Sequence, residues 1–265
     1  MDAQVNPAET ELQSYFVENL EVRIYSDKQR AGSAGAALAA AEIRKTIARD
    51  GEASVVFASA VSQDPFLTAL RSQTDLDWTR VTAFHLDEYA GMSGDHPASF
   101  RRFLRERVMD HFPIRTFHQL NGEAPDLNAE CSRYAALLED AQPGLVILGI
   151  GENGHLAFID PQVCNFTDPQ KARPVALDEI CRMQQVHDGQ FQRLEDVPDV
   201  ALSLTIPFFL KVPRALVFVN GKNKSAAVRA TLQDAISEAC PASALRRHQN
   251  ATLFLDPAAA SDLRT

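Results

Sequence analysis

Two stretches, VTAFHLDEYAG at 81–91 and LVILGIGENGHLAFIDP at 145–161, constrain the fold of this chain more than anything else in it. Each opens as an apolar run too continuous for a strand with one wet face, then stops abruptly in acids, glycines or a histidine. Such runs are the mark of parallel strands buried on both faces, and open α/β sheets build their ligand sites at the carboxyl ends of those strands. Function is expected there.

The remaining pattern supplies the partners such strands need. ASVVFAS at 53–59, RALVFVN at 214–220 and NATLFLD at 250–256 read as further buried strands, and LEVRIYSD at 20–27 alternates as a strand does. Helices are expected at 8–18, from Lys28 to Arg49 with Asp50-Gly51 as the stop, and from SAVSQDP to Arg71. Others are expected from Pro97 to Phe112, at 127–140 and at 222–236. In the fourth of these, Arg101-Arg102 and Arg105-Arg107 alternate with Phe103 and Leu104 as a solvated helix face would. Strand-helix alternation predicts the α/β class: a three-layer αβα, mostly parallel, Rossmann-like open sheet with helices on both faces.

With 265 residues, 45% of them apolar, residues 1–265 read as one domain. From 161 to 199 the pattern is broken by Pro161, Pro169, Pro174 and Pro198, which suits either a lid or a static surface excursion. A net charge of −9 opposes nucleic-acid binding, and no apolar stretch reaches membrane-spanning length. The four cysteines, Cys131, Cys164, Cys181 and Cys240, lack zinc-ligand spacing, so no metal is expected and a reducing, cytoplasmic setting fits.

Gly149, Gly151 and Gly154 match G-x-G-x-x-G after a strand, but HLAFIDP meets Pro161 within seven residues. That leaves no helix whose N-terminus holds a pyrophosphate, so a dinucleotide site is not predicted. The glycines instead suit a tight turn that presents His155 for proton traffic. At the other strand end, Asp87 and Glu88 point to opposite sides, so Asp87 is taken as the pocket acid while its neighbour fixes the loop.

Through FHLDEYAG, GIGENGHLAFIDP and FVNGKNKSAAV in this order, the chain resembles the glucosamine-6-phosphate deaminase (isomerase) and 6-phosphogluconolactonase superfamily over about residues 20–256. DEY and His-Leu-Ala-Phe resemble the deaminase branch. The resemblance implies an aldose-ketose isomerisation: an open-chain amino sugar phosphate loses a proton at C2, gains one at C1, and releases ammonia on forming fructose 6-phosphate. It implies no metal or organic cofactor, and a small sugar phosphate as partner; a homo-oligomer stays open. Asp87 matches the general base, His155 the ring-opening group, and Lys224 the phosphate lysine. Glu88, next to the base, and Gly151 and Gly154, in the histidine loop, are expected to contact the substrate.

The chain also departs from the family pattern. Asn153 stands where an aspartate is usual and Asp160 where a glutamate is usual, both catalytic positions by the resemblance. A neutral Asn orients a histidine without stabilising its charged form, and Glu152 is a candidate for the missing charge. The usual Gly-Gly loop is replaced by Ser59-Ala60-Val61-Ser62-Gln63, whose hydroxyls and helix-opening N–H groups still suit phosphate. Ungapped placement puts Gln185 at the family's arginine, and Arg182, one turn earlier, is the chemically preferred substitute. A lactonase-like hydrolase and a catalytically weakened sugar-phosphate sensor are the competing readings.

Overall fold

The computed structural model describes residues 11–264. Its main sheet has eight strands: β1 (Glu11–Val17), β2 (Leu20–Tyr25), β3 (Ala53–Phe57), β4 (Val81–His85), β6 (Thr116–Phe117), β7 (Leu145–Leu148), β10 (Arg214–Val219) and β11 (Ala251–Leu255). They lie in the order β1-β2-β11-β10-β7-β3-β4-β6, and every neighbouring pair is parallel except β1 with β2. The three-layer αβα expectation holds.

Period-two alternation divides the core. In β7, Val146 and Leu148 face one side with Val56, Phe84 and Val217, whereas Leu145 and Ile147 face the other with Val55, Phe57, Leu216 and Phe218. Both sets are buried, which explains why the strands read as unbroken apolar runs.

The helices are α1 (Lys28–Asp50), α2 (Asp64–Arg71), α3 (Phe100–Leu104), α4 (Leu127–Ala141), α5 (Glu179–His187), α6 (Ile206–Lys211) and α7 (Ser225–Gln233). Asp27 caps α1 by accepting from the Arg30 N–H at 2.8 Å, and Gly51 ends it in the left-handed conformation. Small residues on its inner face, Ala31, Ala36, Ala39 and Ala40, bring α1 close to the sheet. The expected helix at 97–112 forms as α3 followed by a π-helical turn, Arg105–Met109.

Two expectations need correction. The helix expected at 8–18 is, over its described part, strand β1; an edge strand lacks the buried apolar run that identifies the others, and Leu12 and Phe16 are exposed. Arg101 is buried and ion-paired to Glu88 at 3.0 Å, so it belongs to the interior and not to a solvated face. The stretch 161–199 carries regular structure: β8 (Ala172–Ala176) and α5. With β5 (Asp87–Tyr89) and β9 (Val200–Leu204), β8 forms a small antiparallel sheet ordered β5-β9-β8.

Candidate active site

The carboxyl ends of four adjacent strands, β10, β7, β3 and β4, surround a cavity of about 770 Å³. Asp87 and His155 both line it. After β4 the chain passes from the main sheet to the small one: the Leu86 N–H donates to Phe57 O at 3.2 Å, and Leu86 O accepts from the Leu204 N–H at 2.9 Å. Asp87 then pairs with Ser203 of β9, whose hydroxyl oxygen accepts from the Phe158 N–H at 3.1 Å. One residue of β9 thus ties the Asp87 segment to the loop that carries His155.

Burial raises the pKa of Asp87 well above that of an ordinary aspartate, and the charge of Glu88 adds to the effect. Such a carboxylate is a stronger base than one in water. Glu88 itself lies outside the cavity lining, a correction to its expected contact with ligand. Its carboxylate accepts from the Ser99 hydroxyl at 2.9 Å, the Phe100 and Arg101 N–H groups at 3.1 and 2.9 Å, and Arg101 Nε at 3.0 Å. It is engaged by the first turn of α3. The alternation across a strand end separates the two acids as expected.

The β7 loop explains its glycines. Gly154 has φ +83°, and the His155 N–H donates to Asn153 Oδ1 at 3.0 Å. A Cβ on Gly151 would fall 2.1 Å from His155 Cε1, so only glycine lets the imidazole lie across the strand end. The first α-helix after this loop is α5, so no helix N-terminus follows the glycine fingerprint directly.

Behind the imidazole, Nδ1 lies 3.1 Å from Asp160 Oδ1, off the line of an ideal hydrogen bond. Burial opposes ionisation of Asp160. The His155 imidazole, the Asn153 amide and the Asp178 N–H together outweigh that and hold its carboxyl below the usual range. Asn153 and Asp160 therefore stand behind the histidine and do not line the cavity. Glu152 turns to the rim, where Oε1 accepts from Asn223 Nδ2 at 2.8 Å and Oε2 lies 3.5 Å from His187 Nδ1. It does not supply the missing charge to His155.

Lys224, which also lines the cavity, is buried with no hydrogen-bond partner for Nζ among the described residues, and burial lowers its pKa. Ser59 is likewise buried with an unpartnered hydroxyl. A buried cation and a hydroxyl without partners form a receptor for an anion. Ser62 and Gly151 line the cavity, whereas Gln63 and Gly154 stand behind the lining. Gln63 Nε2 donates to Leu148 O at 3.4 Å.

The expected role of Arg182 is corrected. Its guanidinium pairs with Asp199 at 2.7 Å and donates to Leu194 O and Val197 O, both at 2.9 Å, away from the cavity. Gln185 lines the wall instead, its Oε1 accepting from the Tyr89 hydroxyl at 2.9 Å. Lys28, Gln184, Asp188 and Asn223 also line the cavity and escaped sequence reasoning. Lys28 follows the end of β2, so the strand-end rule already contained its signal. Nothing local marks Gln184 or Asp188, which α5 brings over the cavity from far along the chain.

One donor atom each from His155, Asp160 and Cys181 falls within 4.8 Å of the other two. Burial first, then the nearby Asp160 and Asp178, push the Cys181 thiol well above its ordinary pKa. A thiol so held stays protonated and suits hydrogen bonding better than metal ligation.

A buried acid, an imidazole and an unpaired lysine on the strand ends of an open parallel sheet define an α/β enzyme with a site for a small polar ligand. More particularly, the chain belongs to the glucosamine-6-phosphate isomerases/6-phosphogluconolactonase family, whose model matches residues 26–254. It is 40% identical over 186 residues to a glucosamine-6-phosphate deaminase of Bacillus thuringiensis (strain Al Hakam), covering 70% of this chain and 69% of that protein. Among solved structures it is similar to a monomeric glucosamine-6-phosphate deaminase, with TM-score 0.83 and 31% identity over 92% of this chain and 99% of that one. A 6-phosphogluconolactonase from Thermotoga maritima shares the fold, with TM-score 0.72 and 19% identity over 89% of this chain and 98% of that one.

Proposed function

We propose that this chain is a glucosamine-6-phosphate deaminase, converting glucosamine 6-phosphate and water to fructose 6-phosphate and ammonia. The observation that carries the proposal is the convergence of Asp87 and His155 on one cavity that also holds the unpaired Lys224. Lys224, with Ser59 and Ser62, binds the phosphate, and Lys28 adds positive charge to the same cavity.

With Nδ1 beside Asp160, His155 has Nε2 left for the sugar, where it moves the proton that opens the pyranose ring. Asp87 then takes the C2 proton of the open-chain aldehyde, giving an enolamine, and returns a proton to C1. The resulting C2 imine adds water and loses ammonia, leaving the ketose. The raised pKa of Asp87 brings its basicity nearer to neutral pH, where a carboxylate abstracts a carbon-bound proton most effectively. Asn153 and Asp160 orient the imidazole, and Gly151 gives it room.

No helix of the described residues is long and apolar enough to cross a membrane, and we place the enzyme in the cytoplasm, where phosphorylated sugars are made and used. Incubation with glucosamine 6-phosphate, followed by coupled assays for ammonia and fructose 6-phosphate, tests the proposal. Stoichiometric formation of both supports it. Hydrolysis of 6-phosphogluconolactone without ammonia release would replace it with the lactonase reading, and ligand-induced thermal stabilisation without turnover would favour a sensor.

A further inference from the structure

The neutral Asn153 lies between two carboxylates. Its Nδ2 donates to Asp160 Oδ1 and to Asp178 Oδ2, each at 3.0 Å, while its Oδ1 accepts from the His155 N–H. Asp178 also donates its backbone N–H to Asp160 Oδ2 at 3.1 Å, so it touches both residues that stand behind the imidazole. Asp178 belongs to neither the β4 nor the β7 strand end. It is the N-cap of α5, accepting from the Cys181 N–H at 2.6 Å, and α5 carries Gln184 and Gln185 over the cavity.

We propose that Asp178 is a positioning residue for His155: through Asn153 and Asp160 it supplies, from the covering helix, the second negative charge that the histidine loop itself lacks. A capping aspartate needs only one oxygen for the cap. The second oxygen of Asp178 faces Asn153, and Gln162, with its amide turned to satisfy both groups, donates to the same oxygen at 3.2 Å. An anion behind the imidazole network stabilises the positive charge that develops on the ring as it moves a proton to the sugar ring oxygen.

Other charges around the network do not fill this role. Glu152 is held by Asn223 and His187, and Arg182 by Asp199. Cys181 is protonated, Glu179 is exposed at the start of α5, and Asp87 and Lys224 belong to the ligand-facing walls. Asp178 caps α5, so the helix that lines the cavity with Gln184 and Gln185 also holds the charge behind His155.

The inference rests on the deaminase reading for its kinetic test, and a stability test separates the two. Asp178→Asn retains a side chain able to cap α5. Relative to the unaltered protein it should lower kcat for ammonia release about tenfold, leave KM within about twofold, and move the limb of the pH profile that requires a protonated acid to lower pH. A merely structural cap, which asparagine also supplies, would leave kcat and the profile in place.

The double-mutant cycle with Asn153→Asp needs no substrate. In the unaltered protein that substitution brings a third carboxylate against Asp160 and Asp178, so Tm should fall, and fall further at pH 8 than at pH 5. In the Asp178→Asn background the same substitution should cost clearly less. Equal Tm losses in both backgrounds, or superimposable pH profiles for Asp178→Asn and the unaltered protein, would overturn the inference. Absence of ammonia release by the unaltered protein would instead remove the deaminase reading, with the Tm cycle still deciding the charge arrangement.

Discussion

Replacing Gly151 by alanine tests whether the imidazole must lie where it does. The added Cβ would sit 2.1, 2.2 and 2.4 Å from His155 Cε1, Nε2 and Cδ2, whereas ordinary contact begins at 3.4 Å, so the ring must retreat by about 1.3 Å. Gly151 has no positive φ, so backbone strain does not confuse the result. Retreat parts Nδ1 from Asp160, a 3.1 Å contact, and weakening that buried pairing costs on the order of 1–3 kcal/mol of stability. Displacement of a proton-transfer group by on the order of 1 Å lowers kcat by about a hundredfold. Gly149→Ala is the control: its Cβ meets Phe218 O and Ser62 Oγ at ordinary distances of 3.6 and 3.8 Å, and its one tight neighbour, at 3.2 Å, is the amide end of Gln63. Ammonia release measured across pH for both variants, with Tm from thermal melts, gives the comparison. Wild-type kcat in a folded Gly151→Ala protein would refute the assigned position of His155.

Lys224→Met should raise KM for glucosamine 6-phosphate by about ten- to a hundredfold while raising Tm, because a buried unpaired ammonium is removed; an unchanged KM would take the phosphate away from Lys224. His85 is fully buried, accepts from the Leu120 N–H at 2.8 Å through Nε2, and has its pKa lowered by burial to about 3. The unfolded chain therefore takes up this proton first, so stability is flat above the unfolded pKa of 6.5 and falls by about 1.4 kcal/mol per pH unit from there toward 3. Urea melts between pH 7 and 4 should show this slope reduced in His85→Gln, and an identical slope would contradict the assignment. Asp87 has the opposite sign: with its folded pKa raised, its contribution to stability is complete below 3.8 and is lost as pH rises. Asp87→Asn should accordingly stabilise the protein more at pH 8 than at pH 4, as read by Tm.

Burial determined how much of this was legible in the sequence. β3, β4, β7, β10 and β11 sit inside the sheet and announce themselves as apolar runs, whereas β1 lies at an edge with Leu12 and Phe16 exposed and its sequence carries no such run. Asp87 and His155 were found because a polar group that ends a buried strand has few structural reasons to be there. Asp178, Gln184 and Asp188 were not, since a helix laid over the site from elsewhere follows its own period and leaves no local trace. Arg182 shows the limit of choosing a residue by its chemistry: it lies on the cavity helix, but Asp199 and two carbonyls hold its guanidinium outside.

The account stands on Asp87 as the group that moves the proton between C2 and C1. Ammonia release from glucosamine 6-phosphate by Asp87→Asn, set beside its Tm, tests that directly. The predicted result is a folded protein, at least as thermostable as the unaltered one, with turnover reduced at least a thousandfold, on the order of the largest losses seen for general bases. Turnover within tenfold of the unaltered enzyme would show that another group carries the proton.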